Sequence, residues 1–115
     1  MVRREVVGAH YGLRDWLAQR VTAVVMLAYT AVILAMIVGL PAMDYEQWKT
    51  IWQTPIVQYS TILFIVSLLV HAWIGVRNIF MDYIKNAGLR LALYVLTIGA
   101  LLTYAVWSMR ILWSL

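Results

Sequence analysis

The strongest limit on the fold of this chain is an apolar stretch over residues 57–85, which carries a single histidine, His71, and ends on the residues DYIK at 82–85. A stretch of this length is typical of a helix that crosses a lipid bilayer, because about 20 apolar residues are enough to span the hydrocarbon core. Ionisable side chains are rare inside such segments and usually mark a function. His71 is therefore the first candidate for a functional residue.

The composition indicates a membrane protein and excludes several kinds of redox centre. Hydrophobic residues make up 64% of the 115 residues and charged residues 12%, whereas soluble domains are about 45–50% apolar. The chain has no cysteine, which excludes disulfides, thiolate-bound iron–sulfur clusters and covalently attached c-type haem within it. Redox chemistry in this chain would therefore use histidine, a bound cofactor or a partner protein.

Three apolar runs predict an all-α membrane protein with three transmembrane helices. The predicted spans cover residues 17–39, 56–81 and 89–113. Pro41 ends the first span and Pro55 suits the start of the second, because proline lacks a backbone donor but is tolerated in the first turn of a helix. Residues 43–54 are polar and contain two tryptophans, which favours a short helix at the membrane surface.

Residues 1–16 are predicted to form a basic, aqueous N-terminal arm, in which glycines such as Gly12 interrupt regular structure. Arg3 and Arg4 look like the start of a twin-arginine export signal. The first apolar run, however, is longer than the roughly 7–15 residues of a signal-peptide core. We therefore expect this run to be retained as the first span of a membrane anchor domain at residues 17–115.

Lysine and arginine are concentrated on one side of the predicted spans. Seven of the nine lie near the N-terminus or near the tight loop at residues 82–88, and two lie near the opposite ends of the spans. Because cytoplasmic loops are enriched in these residues, we predict a cytoplasmic N-terminus and a C-terminus on the opposite side. The seven are Arg3, Arg4, Arg14, Arg20, Arg77, Lys85 and Arg90, and the two are Lys49 and Arg110.

The small and polar residues of the second span lie on one face of the predicted helix, at about 100° per residue. The opposite face is bulky and apolar, so His71 is predicted to face protein. The small and polar residues on this face are Ser60, Ser67, His71, Gly75, Asn78 and Asp82. The third span has a similar stripe, which favours helix contacts in a bilayer. It consists of Arg90, Tyr94, Thr97, Leu101, Tyr104 and Ser108.

His71 has two interpretations at this point. It is either a neutral histidine hydrogen-bonded to a hydroxyl or carbonyl of a neighbouring helix, or an axial haem ligand, because neutral imidazole offers a nitrogen lone pair to iron. Gly75, one turn away, would leave room for a flat macrocycle. His10 lies in the aqueous arm and cannot easily reach the membrane depth of His71. Three helices are also too few to enclose a porphyrin. A haem with two histidine ligands would therefore need its second ligand from a partner subunit.

The polar residues nearer the basic side also allow two interpretations. Tyr83 suits the headgroup region of the membrane. Asp82 could form hydrogen bonds with the loop that follows, or pair with Lys85 or Arg77. Alternatively, the Tyr83 phenol donates a hydrogen bond to a quinone carbonyl, and Asp82 handles protons beside it. Arg20 could reach lipid phosphates or pair with a haem propionate.

Five segments resemble the hydrophobic membrane anchor of bacterial succinate dehydrogenase, the respiratory Complex II. They are HAWIG at residues 71–75, DYIK at 82–85, LRL at 89–91, GLRDW at 12–16 and RVTA at 20–23. The resemblance extends over most of the chain and includes the three spans and the total length. Asn86 departs from it, because proline is expected there in some relatives.

The resemblance implies half of a heterodimeric haem-binding helix bundle in the bacterial inner membrane, with the C-terminus in the periplasm. It makes His71 an axial ligand of haem b, whose other ligand comes from the cytochrome b subunit, and it places Arg20 near the haem propionates. Tyr83 would hydrogen-bond ubiquinone, with Asp82 as its neighbour at that site. Flavin and iron–sulfur clusters would belong to the flavoprotein and iron–sulfur subunits, and no nucleic acid is expected as a partner.

The expected function is therefore that of a membrane anchor, without catalytic activity of its own, in electron transfer from succinate to ubiquinone. Three alternatives stay open. A fumarate reductase anchor would share the architecture but use a low-potential quinol in the opposite direction. A small transporter would carry substrate alone and be stable without haem. An assembly subunit would bind partners, but changes at His71 or Tyr83 would leave electron transfer unaltered.

Overall fold

The computed structural model describes residues 11–115. The expectations for Arg3, Arg4 and His10 lie outside the described residues, as does most of the predicted N-terminal arm. The described part of the chain is all-helical, with four helices. They are α1 (Tyr11–Val38), α2 (Tyr45–Gln53), α3 (Pro55–Tyr83) and α4 (Ala87–Trp113).

The three long helices are each apolar enough to cross a membrane, which confirms the predicted all-α membrane fold. At about 1.5 Å per residue, helices of 27 to 29 residues are longer than the roughly 30 Å hydrocarbon core. The short helix α2, with nine residues, confirms that a short helix forms between the first two spans; its position at the membrane surface stays a prediction.

The first helix begins earlier than its predicted span, because α1 starts at Tyr11 instead of residue 17. Residues 11–16, which the sequence places in the aqueous arm, are therefore helical. Gly12 does not interrupt α1, since one glycine in a helix costs only about 1 kcal/mol relative to alanine. The extension carries Asp15 into the helix, where it faces α3 and forms an ion pair with Arg77.

Local sequence signals set the other helix ends. The Asp44 side chain caps α2 by accepting a hydrogen bond from the Gln47 backbone at 2.8 Å. Pro55 occupies the first turn of α3 as predicted. Asn86 caps α4, accepting a hydrogen bond from the Leu89 backbone at 3.1 Å. The residue that departs from the resemblance thus starts the next helix after a short turn.

Helix α3 is the centre of the fold, because α1, α2 and α4 all pack against it. Near the start of α3, the hydroxyls of Tyr29 and Thr61 lie 2.5 Å apart, and the Tyr29 ring stacks on Phe64. On its other side, α3 places Trp73 and Phe80 against Tyr94 of α4. The bulky face of the second span is therefore packed against a helix.

Most of the apolar surface of this chain is left uncovered by its own helices. The main buried cluster contains three residues, Ile33, Ile51 and Val57, and no residue of α4 is buried. Within residues 11–115, three helices around one central helix leave wide apolar faces, which suit lipid or other membrane helices.

Candidate functional site

His71 lies in the middle of α3 and faces α1. Its Nδ1 atom is 3.1 Å from Oγ1 of Thr22, which is only 8% exposed, and the imidazole-bearing residue itself is half-buried. Within residues 11–115, the imidazole ring has this one hydrogen bond. The prediction that His71 faces protein is confirmed, and the neighbour is a hydroxyl of a different helix.

Thr22 is itself anchored to the backbone of α1. Its Oγ1 lies 2.6 Å from the carbonyl oxygen of Ala18 and 3.2 Å from that of Gln19. A threonine hydroxyl in a helix commonly donates to the carbonyl four residues earlier. The side chain of Thr22 is therefore fixed in position beside the imidazole.

Two small residues of α3 lie one turn on either side of His71. Ser67, one turn before His71, is buried with 6% exposure. A β-carbon added to Gly75, one turn after it, would lie 3.5 Å from Nε2 of Gln19. The space beside Gly75, which the sequence suggests as room for a macrocycle, is thus at the contact between two helices of this chain.

An ion pair between Arg77 and Asp15 joins α3 to α1 further along the same contact. The sequence suggests Asp82 as a partner for Arg77 and does not single out Asp15. The two side chains are 30% and 27% exposed, so solvent or lipid headgroups reach part of the pair. The sequence does contain a signal for this ion pair, because an arginine inside a span, such as Arg77, needs an acidic partner at the same depth.

A continuous polar seam therefore runs between α1 and α3. We define it by Asp15, Gln19 and Thr22 on α1 and by His71 and Arg77 on α3. Two of its buried atoms, Oε1 of Gln19 and Nε of Arg77, have no hydrogen-bond partner within the described part of the chain.

Tyr83 and Asp82 lie at the end of α3, apart from His71. Twelve residues of helix separate Tyr83 from His71, or about 18 Å at 1.5 Å per residue. Tyr83 is 77% exposed, Asp82 is exposed, and within residues 11–115 neither side chain takes part in a hydrogen bond or ion pair. Among the described residues, no group accepts a hydrogen bond from the Tyr83 hydroxyl.

Arg20 is on a different side of α1 from the polar seam. It is exposed, and its guanidinium lies 5.5 Å from the centre of the Trp16 ring. Arg20 precedes Thr22 by two residues, which is about 200° around a helix. The structure therefore does not bring Arg20 and His71 together on one face.

The described residues contain no group of three or more histidine, aspartate or glutamate side chains that could hold a metal ion. His71 is the one histidine among residues 11–115.

The fold and the site define a small multi-pass membrane protein with a single, fixed histidine in the middle of its central helix and an exposed tyrosine at the end of that helix. Its exposed apolar faces suit contact with lipid or with other membrane helices. Residues 2–107 match the family described as succinate dehydrogenase/fumarate reductase transmembrane subunit, and the chain belongs to this family.

A curated relative supports this assignment. The chain is 38% identical over 102 residues to a protein of Coxiella burnetii (strain RSA 493 / Nine Mile phase I), named succinate dehydrogenase hydrophobic membrane anchor subunit. The similarity covers 89% of this chain and 89% of the relative. The two proteins are therefore similar over most of their length.

Proposed function

We propose that this chain is the hydrophobic membrane anchor subunit of a succinate dehydrogenase complex, in which it provides one axial ligand to haem b and part of a ubiquinone site. The observation that carries this proposal is the fixed imidazole of His71 in the middle of α3, where one ring nitrogen contacts Thr22. The family match and the relative from Coxiella burnetii support the same function.

The residues of the chain fit a shared haem. His71 would hold the iron through Nε2, because Nδ1 is already engaged with Thr22. The second axial ligand would come from the cytochrome b subunit, so the haem would lie between the two chains. A bound haem b would supply one-electron redox chemistry, while this chain fixes the position of the imidazole.

Arg20 would bind a haem propionate on the side of α1 that faces away from α3. Its guanidinium is exposed and could form a charge-assisted, bidentate contact with a carboxylate. Because Arg20 points away from the polar seam, such a propionate would approach along the face that α1 presents to the partner. This assignment therefore requires the cytochrome b subunit to pack against α1.

Tyr83 and Asp82 would form this chain's part of the ubiquinone site. The exposed phenol of Tyr83 can donate a hydrogen bond to a quinone carbonyl, which strengthens as negative charge develops on that oxygen during reduction. Asp82, its neighbour at the helix end, would accept or release protons beside it. The other walls of the site would come from the cytochrome b and iron–sulfur subunits.

The basic end of the molecule, where α1 and α4 begin and α3 ends, would face the cytoplasm of a bacterial inner membrane. The positive-inside rule supports this orientation. The iron–sulfur and flavoprotein subunits would dock there, since Tyr83 lies at that end and electrons must reach the quinone. The dehydrogenase chemistry itself would belong to those soluble subunits.

The test is purification of the complex through a tag on this chain. We expect the flavoprotein, iron–sulfur and cytochrome b subunits to co-purify, with a b-type haem spectrum and succinate-driven reduction of ubiquinone. Rapid menaquinol-driven reduction of fumarate with little ubiquinone reduction would instead indicate a fumarate reductase anchor. Recovery of this chain alone, or of a complex without succinate-linked electron transfer, would contradict the proposal.

A further inference from the structure

The side chain of Thr22 presents one hydroxyl to two helices at once. Its oxygen lies 2.6 Å from the carbonyl oxygen of Ala18 on its own helix and 3.1 Å from Nδ1 of His71 on α3. Gln19 offers a second carbonyl at 3.2 Å. Thr22 is 8% exposed, so little space remains for a competing partner.

The proton count at this contact determines which tautomer of His71 is stabilised. A threonine hydroxyl has one proton and accepts through its oxygen lone pairs. A carbonyl oxygen can only accept, so the short contact to Ala18 uses the hydroxyl proton. The oxygen of Thr22 therefore accepts a hydrogen bond from His71, and the histidine proton lies on Nδ1.

A neutral histidine with its proton on Nδ1 carries a free lone pair on Nε2. The opposite arrangement, in which Thr22 donates to Nδ1, would place the proton on Nε2 and prevent that atom from binding iron. The hydrogen bond also fixes the rotation of the ring. Histidine ligands of metals usually donate their second nitrogen in this way, which orients the ring and raises its basicity.

We infer that Thr22 is a positioning residue for His71: its hydroxyl holds the imidazole as the Nδ1-protonated tautomer, with Nε2 ready to bind the haem iron. This inference rests on the proposed ligation of haem by His71. Thr22 acts through the histidine and does not contact the iron. Its hydrogen bond increases electron donation from the ring, which favours ferric over ferrous iron and lowers the haem potential.

The experiment compares variants of Thr22 in the complete, purified complex. Thr22→Val keeps the volume and removes the hydroxyl, Thr22→Ala removes it with a smaller side chain, and Thr22→Ser keeps it. Thr30→Val is the matched control, because Thr30 is an exposed threonine of α1 that donates to the carbonyl of Met26 at 2.8 Å and has no contact with His71. Haem content per flavin and the haem midpoint potential are measured for each.

Removal of the hydroxyl should weaken haem retention by about 10–100-fold, the usual effect of losing such a partner. It should also raise the midpoint potential, and a tenfold change in the preference for ferric iron corresponds to about 59 mV. Thr22→Ser should stay close to the parent protein, and Thr30→Val should not differ from it. Unchanged retention and potential in either Thr22→Val or Thr22→Ala would overturn the inference.

A His71→Leu variant separates this inference from the proposed function. If His71→Leu changes the haem spectrum while loss of the Thr22 hydroxyl leaves haem content and potential unchanged, ligation of haem by His71 is supported. The inferred role of Thr22 is then wrong. If His71→Leu leaves the spectrum and potential unchanged, the proposed ligation itself is wrong. A shift in both sets of variants, with Thr22→Ser resembling the parent, supports both conclusions.

Discussion

His71 and Tyr83 lie on the same helix but differ in how firmly the chain holds them. His71 is half-buried and joined to Thr22 on α1, whereas Tyr83 is 77% exposed at the end of α3. A fixed ring suits a permanent ligand, since a metal site needs its ligands preorganised. An exposed phenol suits a substrate that binds and leaves, so the two residues fit the different roles proposed for them.

Replacement of Tyr83 by phenylalanine should slow quinone reduction without affecting assembly. The change keeps the ring but removes the only hydrogen-bond donor of the side chain. Loss of one bond to a carbonyl that gains negative charge costs about 1.4 kcal/mol or more, which is about a tenfold lower rate. The rate of ubiquinone reduction by succinate in the purified complex measures this effect.

The control for Tyr83→Phe is Tyr59→Phe, another exposed tyrosine on α3 with 70% exposure but at the opposite end of the helix. Reduction of an artificial acceptor directly from the soluble subunits should be the same in both variants. Undiminished quinone reduction by a fully assembled Tyr83→Phe complex would rule out its proposed role as a donor.

At the scale of the helices, sequence patterns predict which elements form but not how they contact one another. Length and apolar character are enough to predict the three spans, and proline and tryptophan predict the turn into α3 and the helix α2. Periodicity predicts that His71 faces protein. It does not identify Thr22 or Asp15 as neighbours, because the register between two helices depends on the packing of all their side chains.

Two residues, Gly12 and Asp82, suggest local structure that the fold does not have. Gly12 suggests an interruption of regular structure, but a single glycine is a weak signal compared with the helix-forming residues that follow it. Asp82 suggests itself as the partner of Arg77 because the two are close in sequence on one helix. In the fold, Asp15 of α1 pairs with Arg77, and Asp82 remains exposed.

The ion pair between Arg77 and Asp15 should contribute to the stability of the α1–α3 contact. Arg77→Gln would leave Asp15 as an unpaired charge near the membrane boundary. Because both side chains are about one-third exposed, solvent screening reduces the effect to about 1–2 kcal/mol, below that of a fully buried pair. Thermal unfolding of the purified complex, followed by loss of the haem spectrum, measures the change.

Arg14→Gln is the matched control for the ion pair, since Arg14 is an exposed arginine next to Asp15 on α1. This variant should alter the unfolding temperature little. Restoration of stability when Asp15→Asn is combined with Arg77→Gln would confirm that the penalty comes from an unpaired charge. Equal unfolding temperatures for Arg77→Gln and Arg14→Gln would contradict the predicted contribution.

A larger side chain at Gly75 should separate α1 from α3 and release His71 from Thr22. A β-carbon at Gly75 lies in ordinary contact with Gln19, at 3.5 Å, so Gly75→Ala should be tolerated. Gly75→Leu adds a branched side chain at the same contact, and overpacking of this kind costs about 1–3 kcal/mol. Haem content per flavin should fall in Gly75→Leu and stay near the parent value in Gly75→Ala.

Gly99→Leu tests whether this effect is specific to the α1–α3 contact. Gly99 lies in α4, and a β-carbon there would have no neighbour within 4 Å among the described residues. The substitution should leave the distance between α1 and α3 unchanged. If Gly75→Leu retains haem as well as Gly75→Ala does, the close approach of the two helices is not needed for the site.

At the scale of the whole molecule, the proposed function requires partner subunits. The helices of this chain leave large apolar faces uncovered, and α4 has no buried residue. Its polar groups are likewise divided, with His71 and Tyr83 about 18 Å apart along α3 and Arg20 on the outer side of α1. In the proposed function, other subunits would supply the second haem ligand and the remaining walls of the quinone pocket.

The proposed arrangement of partners requires a defined orientation in the membrane, and the absence of native cysteine makes that orientation directly measurable. With no cysteine in the sequence, each introduced cysteine is the only reactive thiol of this chain. Ala42→Cys and Leu115→Cys mark the end of the molecule where α1 and α4 finish. Ala87→Cys, at the exposed start of α4, marks the basic end.

A membrane-impermeant maleimide should label the Ala42→Cys and Leu115→Cys variants in intact spheroplasts, because the proposed orientation, based on the positive-inside rule, puts these residues in the periplasm. Ala87→Cys should react only in inverted vesicles stripped of the soluble subunits, which would otherwise cover it. Labelling of the denatured protein controls for the presence of each thiol. The reverse pattern would place Tyr83 on the periplasmic side, away from the soluble electron donors, and would invalidate the proposed path from succinate to ubiquinone.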